Sequence, residues 1–434
     1  MNVALAKTET ERAVNSVFAV ARERLPGSGK VAEARRQAFD AFERAGLPNR
    51  RIEEWKYTDL RALMREVLPL APTPDAAAIK RARAALKTAG VKRATRLVLV
   101  DGVFVPQLSD AADAGINVKT LREALEGGDR SLLTTEPSDA MIALNAAMAT
   151  DGVLVSVADG ASLAKPLQII HVATVSKASV FTRSRIEVGN GARVTLVESF
   201  VAADGAGAYQ TNDAVILSVG DGADLSHVRL MADSADAAHI TSAVFAVGAR
   251  AKYNLFNMTS GGALSRFSGL VTMNGEGSEL NVNGVNLLKG TQHGDTTLVV
   301  DHAVPNCTSR EIFRAVVDDR AHSVFQGRII VRPHAQKTDG KMMTRALLLS
   351  DEAEADNKPE LEIFADDVTC GHGATAGALD ESLLFYLRAR GLPEKEAQAL
   401  LIQAFVGEAI EGIANDDLRE AAMIAAQRWL EARA

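Results

Sequence analysis

Through the first ninety or so residues, apolar side chains recur at intervals of three and four, as at Val14, Val17, Phe18 and Ala21, in a background rich in Ala, Arg and Glu. That spacing puts one apolar stripe on a 3.6-residue helix and predicts a helical region over residues 1–94. Pro69, Pro72 and Pro74 interrupt it. After Ala94 the period shortens to two, and RLVLVDGVFV (96–105) reads as two strands split by an Asp-Gly turn. Helical spacing returns over 119–126 and 138–149, whereas 151–378 shows strand-like alternation broken by Gly, Asp and Asn. Beyond Gly377 three helices are expected, over 380–390, 393–413 and 416–433, with Pro393 in a first helical turn and Asp416 as an N-cap. The expected organisation is an N-terminal helical domain (1–94), a β core (95–378, regular from about 151) and a C-terminal helical domain (379–434).

Within the β core a motif repeats. VGNGARVTL (188–196) returns as VGDGADLSH (219–227), VGARAKYNL (247–255) and NGEGSELNV (274–282). The first glycines, at 189, 220, 248 and 275, are spaced by 31, 28 and 27 residues. Weaker copies lie at 158–163 and 350–355. Each copy is a glycine turn followed by a strand with alternating apolar residues. A unit of about 30 residues cannot bury its apolar face alone, but stacked copies share one core, which is the logic of a parallel β-helix. Insertions carried on outward loops explain the drifting period. An ordinary β-sandwich with similar turns is the alternative.

The helix expected over 393–413 is apolar around most of its circumference, with Leu401, Phe405 and Val406 among the residues projecting from it. It should be covered on two sides. Either a small bundle supplies both, or one side docks a partner.

Composition narrows the function. The net charge is −7, from 48 Lys+Arg and 55 Asp+Glu, with no basic cluster, which argues against nucleic acid and anionic membrane surfaces. Lys7, Glu9, Glu11 and Arg12 stand where a signal peptide needs an apolar stretch, and no run of about 18 apolar residues occurs, so a cytoplasmic location is expected. The two cysteines, Cys307 and Cys370, provide no disulfide framework. Gly27-Ser-Gly-Lys30 lacks the Ser or Thr and the upstream glycine of a phosphate-binding loop. Nucleotide binding by this chain is therefore not expected; any ATP would be hydrolysed by another chain.

The strongest chemical signal is FADDVTCGHGAT (364–375). On a strand, Cys370 and His372 face the same way, roughly 6–7 Å apart at Cα, and offer a sulfur and an imidazole to iron or zinc. A tetrahedral site needs about four ligands, so this is half a site. Either another chain completes it, or the cysteine packs and the histidine holds a glycine-rich turn. His227 fills a repeat position otherwise taken by Leu196, Leu255 and Val282, and is expected to be a hydrogen-bonded core residue. Cys307 is expected to pack beside a turn, and Glu54-Trp55-Lys56-Tyr57 to make a helix-end contact.

Four segments, GLPNRRIEEWKYTD (46–59), FQGRIIVRPHAQKTD (325–339), KPELEIFADDVTCGHGAT (358–375) and FYLRARG (385–391), resemble the SufB/SufD family of iron–sulfur cluster assembly proteins. The resemblance runs from about residue 40 to 413 and is nearer the SufD branch: the cysteine-rich cluster near the start of many SufB chains is missing. It implies a right-handed parallel β-helix flanked by helical domains and a scaffold rather than an enzyme. It further implies pairing with a SufB-like paralogue through the β-helix and a SufC-like ABC ATPase on the C-terminal helices. The family's functional histidine and neighbouring cysteine fall on His372 and Cys370, where a transient iron–sulfur cluster shared with SufB is expected. Gly371 stands where relatives commonly carry Ser. A homodimer is also open. The competing classes are a polysaccharide-acting β-helix enzyme, disfavoured by 5% aromatics, and a self-contained metalloenzyme using Cys370, His372 and Asp366 or Asp367.

Overall fold

The computed structural model describes residues 7–89, 91–135 and 139–433. Helices α1 (Glu9–Ala21), α2 (Lys30–Ala45), α3 (Leu60–Leu63) and α4 (Ala76–Ala89) precede the first strand, Thr95–Val100. Helices α5 (Leu121–Glu126) and α6 (Ala140–Met148) follow, then an uninterrupted run of strands from Val153–Val157 to Thr369–Gly377. Helices α7 (Glu381–Ala389), α8 (Glu394–Ile410) and α9 (Asp416–Glu431) close the chain. Two details of the expected ends shift. Asn415 rather than Asp416 caps α9, its side chain accepting from the Leu418 N–H, and Pro393 stands just before α8.

Successive strands alternate between a ten-stranded and a nine-stranded sheet, and the strands from Val153 onward pair with one another in parallel throughout. This is the expected parallel β-solenoid, one strand per sheet in each turn. Its beginning is closed by two antiparallel pairs, Thr95–Val100 with Val103–Phe104 and Ile116–Thr120 with Val153–Val157. Its end is not closed: Glu354–Ile363 and Thr369–Gly377 are the outermost strands of their sheets. Alternate residues from both sheets fill one interior core, in which Leu196, Leu255 and Val282 are fully or almost fully buried.

The repeat motif has a steric explanation in two parts. A Cβ at the first glycine would strike the preceding turn's backbone, 2.6 Å from Asp159 N at Gly189 and 1.8 Å from Ala249 N at Gly275. The second glycine turns the chain at positive φ, +64° at Gly191 and +65° at Gly222. In the third copy Arg250 takes that conformation instead, at φ 54°.

The helices cover the outer faces of the sheets. Helices α1, α2 and α6 pack over Phe181, Ile240 and Leu264 of the nine-stranded sheet, and α4 packs on Val98, Val100, Ile170 and Val172 of the ten-stranded one. Helices α8 and α9 share a core with Val197, Val228, Phe256, Met258, Val285 and Leu287. The two-sided covering of α8 is thus intramolecular. Val406, 1% exposed, is withdrawn from any partner surface, while Leu401 and Phe405 are half-buried. Arg314 lies over the Phe405 ring, 5.6 Å from its centre. The exposed apolar residues of the C-terminal helices are instead Leu383, Phe385 and Tyr386 on α7, Leu400 on α8 and Ile424 on α9.

Candidate functional site at the open end of the solenoid

Strand register explains where Cys370 and His372 sit. One inward-facing column runs Leu196, His227, Leu255, Val282, Glu311, Met342, His372, and its neighbour runs Tyr253, Leu280, Ser309, Gly340, Cys370. Both residues therefore occupy interior positions of the last turn, where no further turn covers them. Cys370 is half-buried and packs on the interior core, and His372 is exposed. Burial, with Asp339 and Glu311 nearby, pushes the Cys370 thiol up, which favours the protonated thiol over the thiolate. Position 371 makes no steric demand: a Cβ there meets nothing within 4 Å. Ile363 and Phe364, at the end of the neighbouring edge strand, are exposed as well.

Among the described residues no group of three or more His, Cys, Asp or Glu could hold a metal ion. Asp366 is exposed and Asp367 pairs with Lys337. The site thus offers one thiol and one imidazole at the mouth of the coil, chemically suited to iron but short of a full ligand set.

The other singled-out residues have structural surroundings. His227 is fully buried, with Nε2 at 2.8 Å from Glu198 and Nδ1 at 3.0 Å from Tyr253 Oη. Cys307 is 0% exposed and lies 3.3 Å from Ser278 Oγ. Lys30 is the first residue of α2. The segment around Trp55 is not a helix end. It is a short 3-10 turn, Glu53–Trp55, clamped across the nine-stranded sheet. Trp55 covers the Arg266 guanidinium at 3.8 Å and donates to Asp139 at 3.2 Å. Glu53 pairs with Lys358 and Glu54 with Arg328, while the Glu54 carbonyl accepts from Gln326 and Arg266. Thr58 donates to Asp295 beside His293. Three of the four resemblance segments thus meet in space, though some 270 to 305 residues separate the contacts.

A family model for the SUF-system iron–sulfur cluster assembly SufBD core domain matches residues 171–405, and one for the SufBD N-terminal region matches 16–169. The chain belongs to the SufB/SufD family of iron–sulfur cluster assembly proteins. It is 32% identical to the iron–sulfur cluster assembly protein SufD of Escherichia coli, over 88% of this chain and 89% of that one. It is 31% identical to an iron–sulfur cluster assembly SufBD family protein of Synechocystis, over 87% and 86%. SufD of Bacillus subtilis is 26% identical over 64% of each chain. The core-domain match includes the strand bearing Cys370 and His372 and ends within α8. No helix among the described residues is long and apolar enough to cross a membrane.

The sequence reading missed a second polar group inside the coil, two turns behind this site. Ser309 and Glu311 point inward from the strand Thr308–Val317, and His302 Nε2 meets Ser309 Oγ at 2.9 Å. The same even spacing that placed Cys370 with His372 would have paired Ser309 with Glu311. The turn before them carries Asn306 at φ 62° instead of a glycine, which hid the repeat.

Proposed function

We propose that this chain is the SufD-type half of a cytoplasmic iron–sulfur assembly scaffold and has no enzymatic activity or nucleotide site of its own. The open end of the solenoid pairs with a SufB-like paralogue, and a nascent cluster, as cargo, forms between the two chains on Cys370 and His372. A SufC-like ABC ATPase docks on the C-terminal helices. Its contact centres on the exposed Leu383, Phe385 and Tyr386 of α7 with Leu400, and the half-buried Leu401 and Phe405 border it. The assembled cluster then passes to apo-proteins.

The observation that carries this reading is the placement of one thiol and one imidazole on the last, uncovered strand of the coil. A cluster or its precursor needs more ligands than two, and an unpaired strand edge is where another chain can bring them.

The test is anaerobic reconstitution of the complex with His372→Ala, measuring bound iron, acid-labile sulfide, melting and subunit stoichiometry. Assembly and melting unchanged with cluster lost is the expected result. Normal cluster content with melting several degrees lower would make His372 structural. Cys370→Ser alongside reports whether the thiol belongs to the ligand set. Cluster formation by this chain without its paralogue would favour a homodimer.

A further inference from the structure

Glu311 is a buried acid of the coil interior that its structural surroundings leave without a compensating charge. Its side chain faces inward between Val282 and Met342 and is 0% exposed, and among the described residues neither carboxyl oxygen has a partner in good hydrogen-bond geometry; the Ser309 hydroxyl nearby eases its burial only slightly. The nearest hydroxyl, Ser309, is engaged by His302, whose own Nδ1 is buried without a partner. By contrast, Glu198, the other carboxylate of the ten-stranded sheet's interior columns, is bonded to both His227 and Arg229. An unpaired buried acid is retained at a cost to stability, so a role is sought where it sits.

It sits directly behind the candidate cluster site. In its own column Met342 separates it from His372, and in the adjacent column Ser309 is separated from Cys370 by Gly340, which has no side chain. A Cβ at 340 would stand 3.4 Å from both Ser309 Oγ and Ile329 Cγ2, so the glycine places no side chain of its own between the Glu311–Ser309 pair and Cys370. The titratable groups around Glu311 are Arg310 on its own strand, His302 across the coil and Cys370 on the last strand; Val282 and Met342 beside it are uncharged.

We propose that Glu311 is the charge-compensating acid of the Cys370–His372 site, a neutral carboxyl in the metal-free chain and a carboxylate once a divalent cation is held at the mouth of the coil. This rests on the reading that Cys370 and His372 hold iron. Burial, little eased by Ser309 and Arg310, pushes the Glu311 carboxyl up to about 8, and burial holds the His302 imidazole neutral, down to about 4. A dication two strand spacings away, about 10 Å, favours ionisation of such an acid by roughly a hundredfold at an effective dielectric of about 20. In the binding step the Cys370 S–H bond breaks as the sulfur–metal bond forms, the Glu311 O–H bond breaks, and both protons leave to solvent with no change of oxidation state. The dication is thereby matched by a thiolate and a carboxylate.

The test uses the full-length chain reconstituted with its SufB-like paralogue, which completes the ligand set, and Co(II) as the probe. In the metal-free protein at pH 7, infrared spectroscopy should show a protonated-carboxyl band that Glu311→Gln removes, and Co(II) should abolish that band in the parent. Glu311→Gln should bind Co(II) roughly tenfold more weakly at pH 7. It should also release one proton fewer per metal, a difference that vanishes well above pH 8. No such band, or equal proton release by parent and variant at pH 7, overturns the proposal and leaves the Cys370–His372 site standing. Cobalt–thiolate absorption that persists in Cys370→Ser, or affinity unchanged in His372→Ala, overturns the site reading and the proposal together. Assignment of the band requires the variant to fold, which its circular dichroism and melting check; Glu311→Gln removes a buried acid and is expected to fold.

Discussion

Replacing Arg229 by Met should be among the most damaging single changes in the solenoid, for a reason separable from lost packing. Arg229 is 0% exposed and donates to Glu198 at 2.7 Å and Asp213 at 3.4 Å. Its guanidinium also lies near the rings of Phe200 and Phe267, 5.2 and 5.0 Å from their centres. Methionine keeps much of the apolar contact but strands Glu198, itself 1% exposed, with His227 as its remaining bonded partner. Breaking a buried pair from one side costs about 3–5 kcal/mol, because the leftover charge stays buried. The sign of the pH dependence follows from Glu198. Burial raises its carboxyl pKa, but Arg229 and His227 more than offset this and hold it well below the usual range. In the parent its contribution is therefore present above about pH 4.5 and lost as pH falls. Without Arg229 burial dominates, the carboxyl rises above its unfolded value, and stability is kept below about pH 4.5 and lost as pH rises. Urea unfolding followed by circular dichroism at pH 4.5 and 7 should give a penalty that grows with pH, and adding Glu198→Gln should recover part of it at pH 7. A penalty under about 1 kcal/mol, or one independent of pH, would refute the reasoning.

Three further outcomes follow from the same structure. Gly275→Ala, whose Cβ would lie 1.8 Å from Ala249 N, should cost about 3 kcal/mol or more, while Gly371→Ala, with nothing within 4 Å, should stay within about 0.5 kcal/mol in the same urea assay. Glu311→Gln should stabilise the chain near pH 8 by up to about 3 kcal/mol and give no gain near pH 4.5. The sign is that of an acid raised on folding, whose contribution is present below about pH 4.5 and lost as pH rises towards about 8. Phe385→Asp combined with Tyr386→Ser, on a helix with no buried residue, should leave melting unchanged and abolish capture of the ATPase in a pull-down; retained capture would move that contact elsewhere.

The solenoid was readable because its turns repeat a steric requirement: one glycine where the preceding turn's backbone passes, another where φ is positive. Where other residues took those conformations, as at Asn306 and Asp319, the repeat faded and the inward position of Glu311 went unnoticed. His227 was recognisable as a core residue from its slot in the repeat. Its partners were not, because charged residues on strands read as solvent-facing; strand parity alone would have placed Glu198 beside Leu196 and Arg229 beside His227, all inside. The all-round apolar surface of α8 was visible, but its cover was not. The ten-stranded sheet is apolar on its outer face too, at Val197, Val228, Phe256 and Val285, and it takes up the side first offered to a partner. The clamp of Glu53–Trp55 onto Arg266, Gln326 and Arg328 joins segments more than 200 residues apart, which no local pattern encodes. Cys370 and His372 were identifiable as a same-side pair from spacing alone; their exposure follows from their lying on the last turn.

The central claim is that His372 is a ligand to the cluster built between two chains. It is tested most directly by reconstituting the complex with this chain labelled with ¹⁵N-histidine, reducing the cluster to a paramagnetic state, and measuring nitrogen hyperfine coupling by pulsed electron paramagnetic resonance. The account predicts a ¹⁵N coupling of directly bound imidazole that disappears in His372→Ala. A cluster showing no such coupling, or the same coupling without His372, would contradict it.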